Sequence, residues 1–295
     1  KKMKRKKVPL VSILLINWNG FKDSVECINS IFKIDYPNYR IVLYDNGSNE
    51  DEALKLKKIF KNKKKIDFVR SEKNWGYDGG CNKAIEFAKR NHNPDYYVIA
   101  NNDITVDKLF LSELIKEMEK DKRIGGSSPV IYYYDKPKEI WWFGGVKYNP
   151  WTGGVKVNKN PIRTGETDVI TGCLMVVKKE VIEKVGLLNE KFFLSGLDTG
   201  EYSIRMKRAG YKLIYVPSSK IWHKCGKSAW NLAPKQRLKH EIGGIIETLK
   251  IIRWYQIPTN LLTFVYNFVK LRLKGIFIFI FNKEKRKKFL KTFKK

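Results

Sequence analysis

Cysteine is scarce in this sequence, and no two cysteines lie near one another. The 295-residue chain has four, at Cys27, Cys81, Cys173 and Cys225, with no CxxC pair and no mixed cysteine and histidine cluster. A disulfide-bonded scaffold and a zinc finger are therefore excluded, and this usage is typical of a reducing compartment. A chain of this length buries enough apolar surface to fold without such cross-links.

Long uncharged apolar segments are also absent. Near the C-terminus, Ile257–Val269 ends at Lys270, and Gly275–Phe281 is shorter still, whereas a membrane-spanning helix needs about 20 apolar residues. Lys1–Lys7 followed by Val8–Ile16 imitates an export signal, but no small-residue cleavage site follows. We therefore expect a buried first strand and, near the C-terminus, attachment to one membrane surface.

Acidic residues are outnumbered by basic ones. The chain has 59 Lys and Arg against 30 Asp and Glu, a net charge of +29 at pH 7. Such an excess indicates a polyanionic partner, which can be nucleic acid, an anionic membrane surface or a phosphorylated substrate. A nucleic-acid-binding protein is the main alternative from another class, but the chain has no RNP, helix-turn-helix or finger pattern. We therefore expect no nucleic-acid partner.

The basic excess is concentrated at the two ends of the chain. Six of the first seven residues are basic, and residues 235–295 contain sixteen Lys and Arg against three Asp and Glu. We predict one domain over residues 1–233 and a helical, basic, amphipathic extension over residues 234–295. Leu261–Lys295 suits the interface of an anionic bilayer, whereas Leu238–Ile252 fits a helix packed on the protein. The predicted location is cytoplasmic and peripheral, at the cytoplasmic face of the membrane; the oligomeric state is left open.

Apolar runs alternate with helical periodicity along the first hundred residues. Strands are predicted at Val8–Ile16, Tyr39–Tyr44, Ile66–Arg70 and Tyr96–Ala100, and helices at Asp23–Phe32, Glu50–Lys61 and Asn82–Arg90. This repetition predicts an α/β fold with a doubly wound, mostly parallel sheet flanked by helices. Further elements are predicted as an antiparallel excursion over residues 131–167, a strand at Thr171–Val177, a helix at Lys179–Val185, a helix within Phe192–Gly210 and a strand at Lys212–Val216.

Polar turns lie at the ends of the predicted strands. They are Asn17–Gly20, Asp45–Ser48, Asn74–Gly80 and Asn101–Asp103. The carboxyl ends of parallel strands share one edge of the sheet, and ligands of open α/β sheets bind there. The four turns therefore predict a binding site at that edge.

The turn Asn74–Gly80 is rich in glycine. Gly76, Gly79 and Gly80 lie within five residues, which lets the backbone approach a ligand closely, and the following helix offers N–H groups to phosphate. The turn lacks the GxGxxG pattern and follows the third strand rather than the first, so it is not a dinucleotide fingerprint.

Candidate metal ligands follow two predicted strands. Asp103 lies beside the amides of Asn101 and Asn102, and such a carboxylate can hold Mg²⁺ or Mn²⁺ while leaving positions for phosphate oxygens. The same residues are also ordinary turn chemistry. His223, one of three histidines, can be a metal ligand or a satisfied core residue. Asp45 can bind a ribose or base, or cap the helix that follows it.

Asp198 and Glu201 are the candidate general bases. They lie three residues apart at the start of a predicted helix, where two side chains share one face, and either carboxylate can take a proton from a hydroxyl group. The same spacing also forms a helix capping box. Spacing alone does not choose between these roles.

In this order, the motifs resemble the family 2 glycosyltransferases of the GT-A fold, especially the rhamnosyltransferase-like branch. The resemblance runs from about Val11 to Ser228. VSILLINWNG resembles the first strand and nucleotide loop of the family, Asp45–Ser48 its base- and ribose-binding turn, and Asn74–Asn82 its N-x-G-(F/Y)-x-x-G-x-N loop. Asn101–Asp103 stands at the metal-binding DxD, and Thr171–Met175 resembles the strand on the acceptor side. Phe192–Tyr211 resembles the segment with the catalytic Glu-Asp pair, and His223–Ser228 resembles the histidine loop.

The resemblance implies inverting transfer of a sugar from a nucleotide-diphosphate sugar to a hydroxyl of a glycan or lipid-linked acceptor, assisted by Mg²⁺ or Mn²⁺. The donor-binding residues that it implies are Asn17, Asn19, Asp45, Asn46, Ser48, Asn74, Gly76, Tyr77, Gly80, Asn82, Asn102 and Gly172. The implied metal ligands are Asp103, Asn101 and His223, and the implied base is Asp198 with Glu201 as the alternative.

The sequence departs from the family pattern at two places. Asn101 replaces the first aspartate of the DxD, which leaves Asp103 as its only charged ligand. Where the family has Glu-Asp, this chain has Leu197-Asp198, and one residue more than usual precedes Arg205. The second departure leaves room for a non-catalytic relative that binds glycan or membrane.

The extra residue leaves two alignments of the catalytic segment. Aligned from Phe192, Asp198 takes the position of the base. Aligned from Arg205, Asp198 takes the glutamate position and Thr199 the position of the base.

Overall fold

The computed structural model describes residues 7–149, 155–157, 162–192 and 198–225. All of these except residues 148–149 and 155–156 belong to one compact unit. Within these ranges no helix is both long and apolar enough to cross a bilayer. The predicted boundary at residue 233 and the extension over residues 234–295 lie outside the described residues and stay predictions.

Strands and helices alternate through the first hundred residues. In chain order they are β1 (Val11–Asn17), α1 (Phe21–Ile31), β2 (Tyr39–Asn46), α2 (Glu50–Phe60), β3 (Ile66–Ser71), α3 (Gly76–Asn91) and β4 (Tyr96–Asn101). The continuous apolar run of β1 is buried along its whole length, as expected for a strand that is covered on both faces.

The second half of the described chain is richer in strands. Its elements are β5 (Ile104–Val106), α4 (Phe110–Met118), β6 (Ile124–Tyr133), β7 (Ile140–Trp142), β8 (Val146–Tyr148), β9 (Val155–Val157), β10 (Gly165–Thr167), β11 (Leu174–Lys178), α5 (Lys179–Val185), α6 (Asp198–Arg208) and β12 (Lys212–His223).

Ten of the described strands form one sheet. Its order is β10-β12-β6-β11-β4-β1-β2-β3, with β5 paired to β12 and β7 paired to β6, whereas β8 and β9 form a separate pair. Strands β1 to β4 are parallel to their neighbours in this group, but β11 runs antiparallel to both β4 and β6. The predicted α/β class is confirmed, and the pairing beyond β4 is mixed.

The two faces of the sheet carry separate apolar cores because neighbouring residues of a strand point to opposite sides. Ile13 and Leu15 of β1 pack with α1, α2 and α4. Leu14 and Ile16 pack with α3, α5 and α6. Burying one such side chain contributes about 1.5–3 kcal/mol, so this sandwich holds the strand ends firmly in place.

Most element boundaries lie within three residues of the sequence prediction, and two differ by more. Helix α3 begins at Gly76, inside the segment predicted as a loop. A Cβ atom at Gly80 would lie 3.0 Å from both Asn46 Nδ2 and Ile16 Cγ2, so the glycine lets the helix pack close to the sheet despite its low helix propensity. Strand β12 continues beyond Val216 to His223 through a change in register, which is typical of a β-bulge.

Candidate active site

The predicted polar turns meet at the carboxyl edge of the parallel strands. Asn17 of β1 pairs in register with Asp45 of β2, and Ile16 pairs with Asn101 of β4. Asp45 is completely buried, whereas Asn101 is partly exposed. The fold therefore brings together side chains from turns that are far apart in the sequence, as predicted.

Asn17 is the centre of a buried hydrogen-bond network. Its Nδ2 donates to Asp45 Oδ1 at 2.9 Å and to Ser48 Oγ at 3.0 Å. Its Oδ1 accepts three hydrogen bonds, from Gly20 N (3.2 Å), Ser24 Oγ (2.9 Å) and Asn102 Nδ2 (3.1 Å). Both donor positions of the amide are occupied, so Asn17 holds the turns together and has no N–H left for a ligand.

Asn102 and Asn19 also hydrogen-bond within the protein. Asn102 Nδ2 donates to Ser24 Oγ at 2.8 Å, in addition to Asn17. Asn19 has a φ of +51°, its N–H donates to Ser48 Oγ at 2.9 Å, and its Oδ1 accepts from the backbone N–H of residue 49 at 2.9 Å. These contacts fix the shape of the turn after β1.

Asp45 offers an unused acceptor. Its side chain is fully buried, and within the described residues Oδ2 accepts no hydrogen bond. The Nε of Arg70 lies 3.7 Å from this oxygen, which is an ion-pair distance rather than a hydrogen bond. Because buried carboxylate oxygens normally have hydrogen-bond donors, Asp45 suits an N–H or O–H group of a bound ligand.

Asn46 attaches the glycine-rich segment to the end of β2. Its Nδ2 donates to Asn74 Oδ1 at 3.1 Å and to the carbonyl of Gly76 at 2.8 Å, and its Oδ1 accepts from the N–H of Trp75 at 3.1 Å. Gly76 has a φ of +76°, a conformation that favours glycine. The start of α3 is thereby held against the ligand edge.

Tyr77 and Gly172 bring α3 and the turn before β11 together. The hydroxyl of Tyr77 donates to the carbonyl of Gly172 at 2.9 Å. A Cβ atom at Gly172 would lie 2.6 Å from Thr199 Cγ2 in the first turn of α6. Gly172 is therefore required for the close approach of α6, which is where the candidate base lies.

Asn82 contacts protein on three sides. Its Nδ2 donates to the carbonyl of Leu188 and to Glu190 Oε1, each at 2.9 Å, and its Oδ1 accepts from the N–H of Leu188 at 3.0 Å. The side chain therefore fixes the segment after α5, and both N–H groups are used.

Asp103 and His223 form a close pair. Asp103 Oδ1 lies 3.2 Å from His223 Nε2, and both side chains are largely buried. Asn101 Nδ2 lies 3.4 Å from the same ring nitrogen, and the ring of Trp141 packs edge-on against His223 with 4.8 Å between centroids. All three predicted metal ligands therefore lie together.

This group fits a divalent cation that shares its coordination with phosphate oxygens. Among the described residues no cluster of three or more His, Cys, Asp or Glu is able to enclose an ion, but Mg²⁺ commonly takes one or two protein ligands and completes its shell with substrate phosphates. His223 Nδ1 is buried and, within the same residues, has no hydrogen-bond partner. Burial, followed by the charge of Asp103, raises the pKa of Cys173 well above its ordinary value, so this thiol does not compete as a thiolate ligand.

The two candidate bases differ in the structure. Asp198 begins α6, and its side chain lies outside what the structure describes. Glu201 forms a two-point ion pair with Arg205, at 2.6 Å from Oε1 to Nε and 2.9 Å from Oε2 to Nη2. Arg205 also donates to the carbonyls of Val185 and Leu187. Both oxygens of Glu201 are thus engaged in holding α6 to α5, which favours Asp198 as the base.

Sequence reasoning missed several residues around this site. Ser24 links Asn17 with Asn102. Lys224 bridges two carboxylates of α1. The one sequence signal for the bridge is the i, i+3 spacing of Asp23 and Glu26, because contacts between distant segments leave no local pattern.

The chain is similar in sequence to a curated protein. The chain is 22% identical over 262 residues to a poly-beta-1,6-N-acetyl-D-glucosamine synthase of Staphylococcus epidermidis, which covers 89% of this chain and 61% of the relative. The chain thus spans about three fifths of the length of that curated relative.

Two solved structures align with the chain at low sequence identity. GalNAc-T7 with UDP, GalNAc and Mn²⁺ has a TM-score of 0.60 at 20% identity, over 73% of this chain and 43% of that one. The mannosyltransferase PcManGT from Pyrobaculum calidifontis with GDP-Man and Mn²⁺ has a TM-score of 0.58 at 16% identity, over 94% and 82%.

The family model for glycosyl transferase family 2 matches residues 12–186. This range begins in β1, ends just after α5 and includes the polar turns after β1, β2, β3 and β4. Because the match covers more than half of the sequence, the chain belongs to glycosyl transferase family 2.

Proposed function

We propose that this family 2 glycosyltransferase transfers a sugar, with inversion, from a nucleoside-diphosphate sugar to a hydroxyl of a glycan or lipid-linked acceptor. The observation that carries the proposal is the Asp103–His223 pair, which lies at the same sheet edge as the unused carboxylate oxygen of Asp45. Support also comes from the two aligned structures, which contain UDP or GDP-Man together with Mn²⁺.

In this proposal the donor lies across the strand ends. Asp45 accepts a hydrogen bond from the base or ribose, because its Oδ2 has no other donor among the described residues. Gly76 and Gly79 leave two positions in the first turn of α3 without a side chain, and helix N-termini favour phosphate groups. The asparagines around Asn17 act indirectly by fixing the turns.

Asp103 and His223, with Asn101 beside them, would hold a divalent cation. A bound Mg²⁺ or Mn²⁺ supplies electrostatic stabilisation of the negative charge that grows on the leaving diphosphate. Asp198 takes the proton of the acceptor hydroxyl as that oxygen forms its bond to the anomeric carbon. The bond from this carbon to the diphosphate oxygen breaks on the opposite face, so the configuration is inverted.

Two substitutions test the roles separately. Asp103→Ala should abolish Mn²⁺ binding in titrations with UDP- and GDP-sugars, because it removes the charged ligand of the pair. Asp198→Asn should leave donor binding unchanged and reduce turnover by at least about 100-fold, the lower range for loss of a general base. Asp51→Asn, at the exposed start of α2, is the matched control. A normal turnover rate for Asp198→Asn would remove Asp198 from the mechanism.

We also propose that the enzyme lies on an anionic membrane surface, and α2 together with the segment that follows it supports this. Seven lysines between residues 55 and 65 follow one another without an acidic residue, and none of them forms an ion pair within the described part of the chain. Leu54 and Ile59 on the same helix are 52% and 44% exposed. Exposed apolar side chains among lysines favour a lipid interface over nucleic acid.

Vesicle flotation tests this membrane contact. Each lysine near an anionic surface contributes about 1 kcal/mol, so Lys57→Gln, Lys58→Gln and Lys61→Gln together should weaken binding to phosphatidylglycerol vesicles by about 100-fold. A matched triple variant replaces three lysines that are already ion-paired, Lys116, Lys120 and Lys136. Equal losses in the two triple variants would show that net charge alone governs binding.

A further inference from the structure

We propose that Glu26 and Lys224 form a clamp that positions the Asp103–His223 pair. The clamp consists of Asp23, Glu26, Tyr134 and Lys224, and these residues come from α1, the segment after β6 and the end of β12. Its effect on metal binding rests on the function proposed above, whereas its effect on backbone geometry does not.

Lys224 and Tyr134 meet on the carboxylate of Glu26, and Asp23 also accepts a hydrogen bond from Lys224. Lys224 Nζ donates to Glu26 Oε2 at 2.6 Å and to Asp23 Oδ1 at 2.7 Å. The other oxygen of Glu26, Oε1, accepts from the hydroxyl of Tyr134 at 2.5 Å. Lys224 Nζ also lies 4.9 Å from the centre of the Tyr134 ring. Glu26 therefore uses both of its oxygens to join Lys224 and Tyr134.

The backbones of the same two residues hold the candidate metal ligands. The N–H of Lys224 donates to the carbonyl of Asp103 at 3.0 Å, and the N–H of Tyr134 donates to the carbonyl of His223 at 2.9 Å. The carboxylate of Glu26 thus binds the side chains of Lys224 and Tyr134. The backbone N–H groups of these two residues in turn bind the carbonyls of Asp103 and His223. The contacts form a closed circuit around the pair.

Helix α1 also reaches the donor side of the site. Ser24, which lies between Asp23 and Glu26 in the sequence, donates to Asn17 and accepts from Asn102. The clamp therefore connects the Asp103–His223 pair to the helix that supports the turn after β1. A shift of this helix would move both halves of the site together.

The clamp is too exposed to be explained by stability alone. The side chains of Lys224, Asp23 and Glu26 are 25%, 41% and 40% exposed, and ion pairs of this kind contribute little to folding. Asp23, Glu26, Tyr134 and Lys224 are therefore positioning residues. Their loss should loosen the pair while the two cores stay intact.

Backbone hydrogen exchange tests the positioning without any metal. In Lys224→Met, the backbone amides of residues 134 and 224 should exchange up to about fivefold faster, which is the factor that corresponds to the upper range for an exposed ion pair. Amides in β1 and β2 should keep their wild-type rates. Lys224→Arg should restore protection, because arginine can also bind two carboxylates. Lys116→Met, which removes an exposed ion pair with Glu113, is the control.

Mn²⁺ binding, measured by the EPR signal of the free ion, tests the consequence for the site. Lys224→Met should weaken binding about tenfold, the lower range for losing an outer hydrogen-bonding partner of a metal site, and saturating Mn²⁺ should restore most of kcat. Tyr134→Phe removes only one hydroxyl of the clamp, so it should show the same trend with a smaller effect. It remains informative even when Lys224→Met folds poorly.

The outcomes separate the clamp from the proposed function. Unchanged exchange in both Lys224→Met and Tyr134→Phe would overturn the clamp, as would faster exchange with unchanged Mn²⁺ affinity. Equal effects in Lys116→Met would also overturn it. A wild-type protein that binds no Mn²⁺ would instead overturn the metal-assisted function, and the exchange rates would still decide whether the clamp holds the backbone.

Discussion

Replacing Asn17 separates a structural role of this residue from direct ligand binding. Asn17→Ala removes five hydrogen bonds, three of them buried and two partly buried, from a side chain that is itself fully buried. At about 1 kcal/mol for each bond, reduced by local relaxation, we expect the free energy of unfolding to fall by about 4 kcal/mol. For a chain of this size that loss corresponds to a melting temperature about 8–16 °C lower.

The isosteric variant Asn17→Asp should lose stability to a degree that depends on pH. It places a second carboxyl group 2.9 Å from the buried carboxylate of Asp45, and two such groups raise the pKa of one of them. A carboxyl group whose folded pKa is raised destabilises the protein most above that pKa. The difference in unfolding free energy between Asn17→Asp and the wild type should therefore shrink as the pH falls from 7 to 5.

Thermal and urea unfolding followed by circular dichroism measure both variants. Asn91→Ala is the control, because Asn91 makes one exposed hydrogen bond to the carbonyl of Phe87 and should change stability by less than about 0.5 kcal/mol. A loss in Asn17→Ala as small as that of the control, together with weaker nucleotide binding, would refute the structural role. Asn17 would then be a residue that contacts the donor directly.

Two further predictions concern a strained turn and the buried thiols. A Cβ atom at Gly47, where φ is +79°, would lie 2.6 Å from a neighbouring backbone carbon, whereas Gly186, where φ is +88°, has open space around it. Gly186→Ala should cost about 1–3 kcal/mol in urea unfolding, because its φ of +88° with a ψ of −172° is a backbone conformation that almost only glycine adopts. Gly47→Ala should cost clearly more because of the added clash, and equal losses would contradict the steric argument. Burial raises the pKa of the Cys27 and Cys173 thiols, so these thiols stay protonated at pH 8. Iodoacetamide should therefore label at most the half-buried Cys225 in the native protein, and all four cysteines in urea. Labelling of Cys173 in the native protein would contradict its burial.

The parallel half of the fold was predictable because its signals are local. The apolar run at Val8–Ile16 and the one at Tyr96–Ala100 each contain most of one buried strand. Helix α4 was not predicted, although its apolar face is buried in the core. The bulge after Val216 hid the second half of β12, because it interrupts the alternation on which strand prediction depends.

The site was predictable in its location and not in the role of each polar residue. Asp45 and Asn17 both stand at strand ends, yet one has an unused oxygen and the other has no free N–H. Residue type does not tell which of two neighbouring polar groups holds the other and which one faces a ligand. The roles of Asp103 and His223 as ligands, and of Asp198 as base, stay predictions.

Strand β5 has a consequence for insertions and deletions in this chain. It follows Asp103 directly and pairs with the end of β12, so that Ile104 stands opposite His223. The three residue pairs between β5 and β12 therefore help to fix the distance between Asp103 and His223, although more than a hundred residues separate the two in the sequence. A change in the length of an exposed loop between residues 107 and 220 that leaves the Tyr134 contact intact should therefore leave the spacing of Asp103 and His223 unchanged.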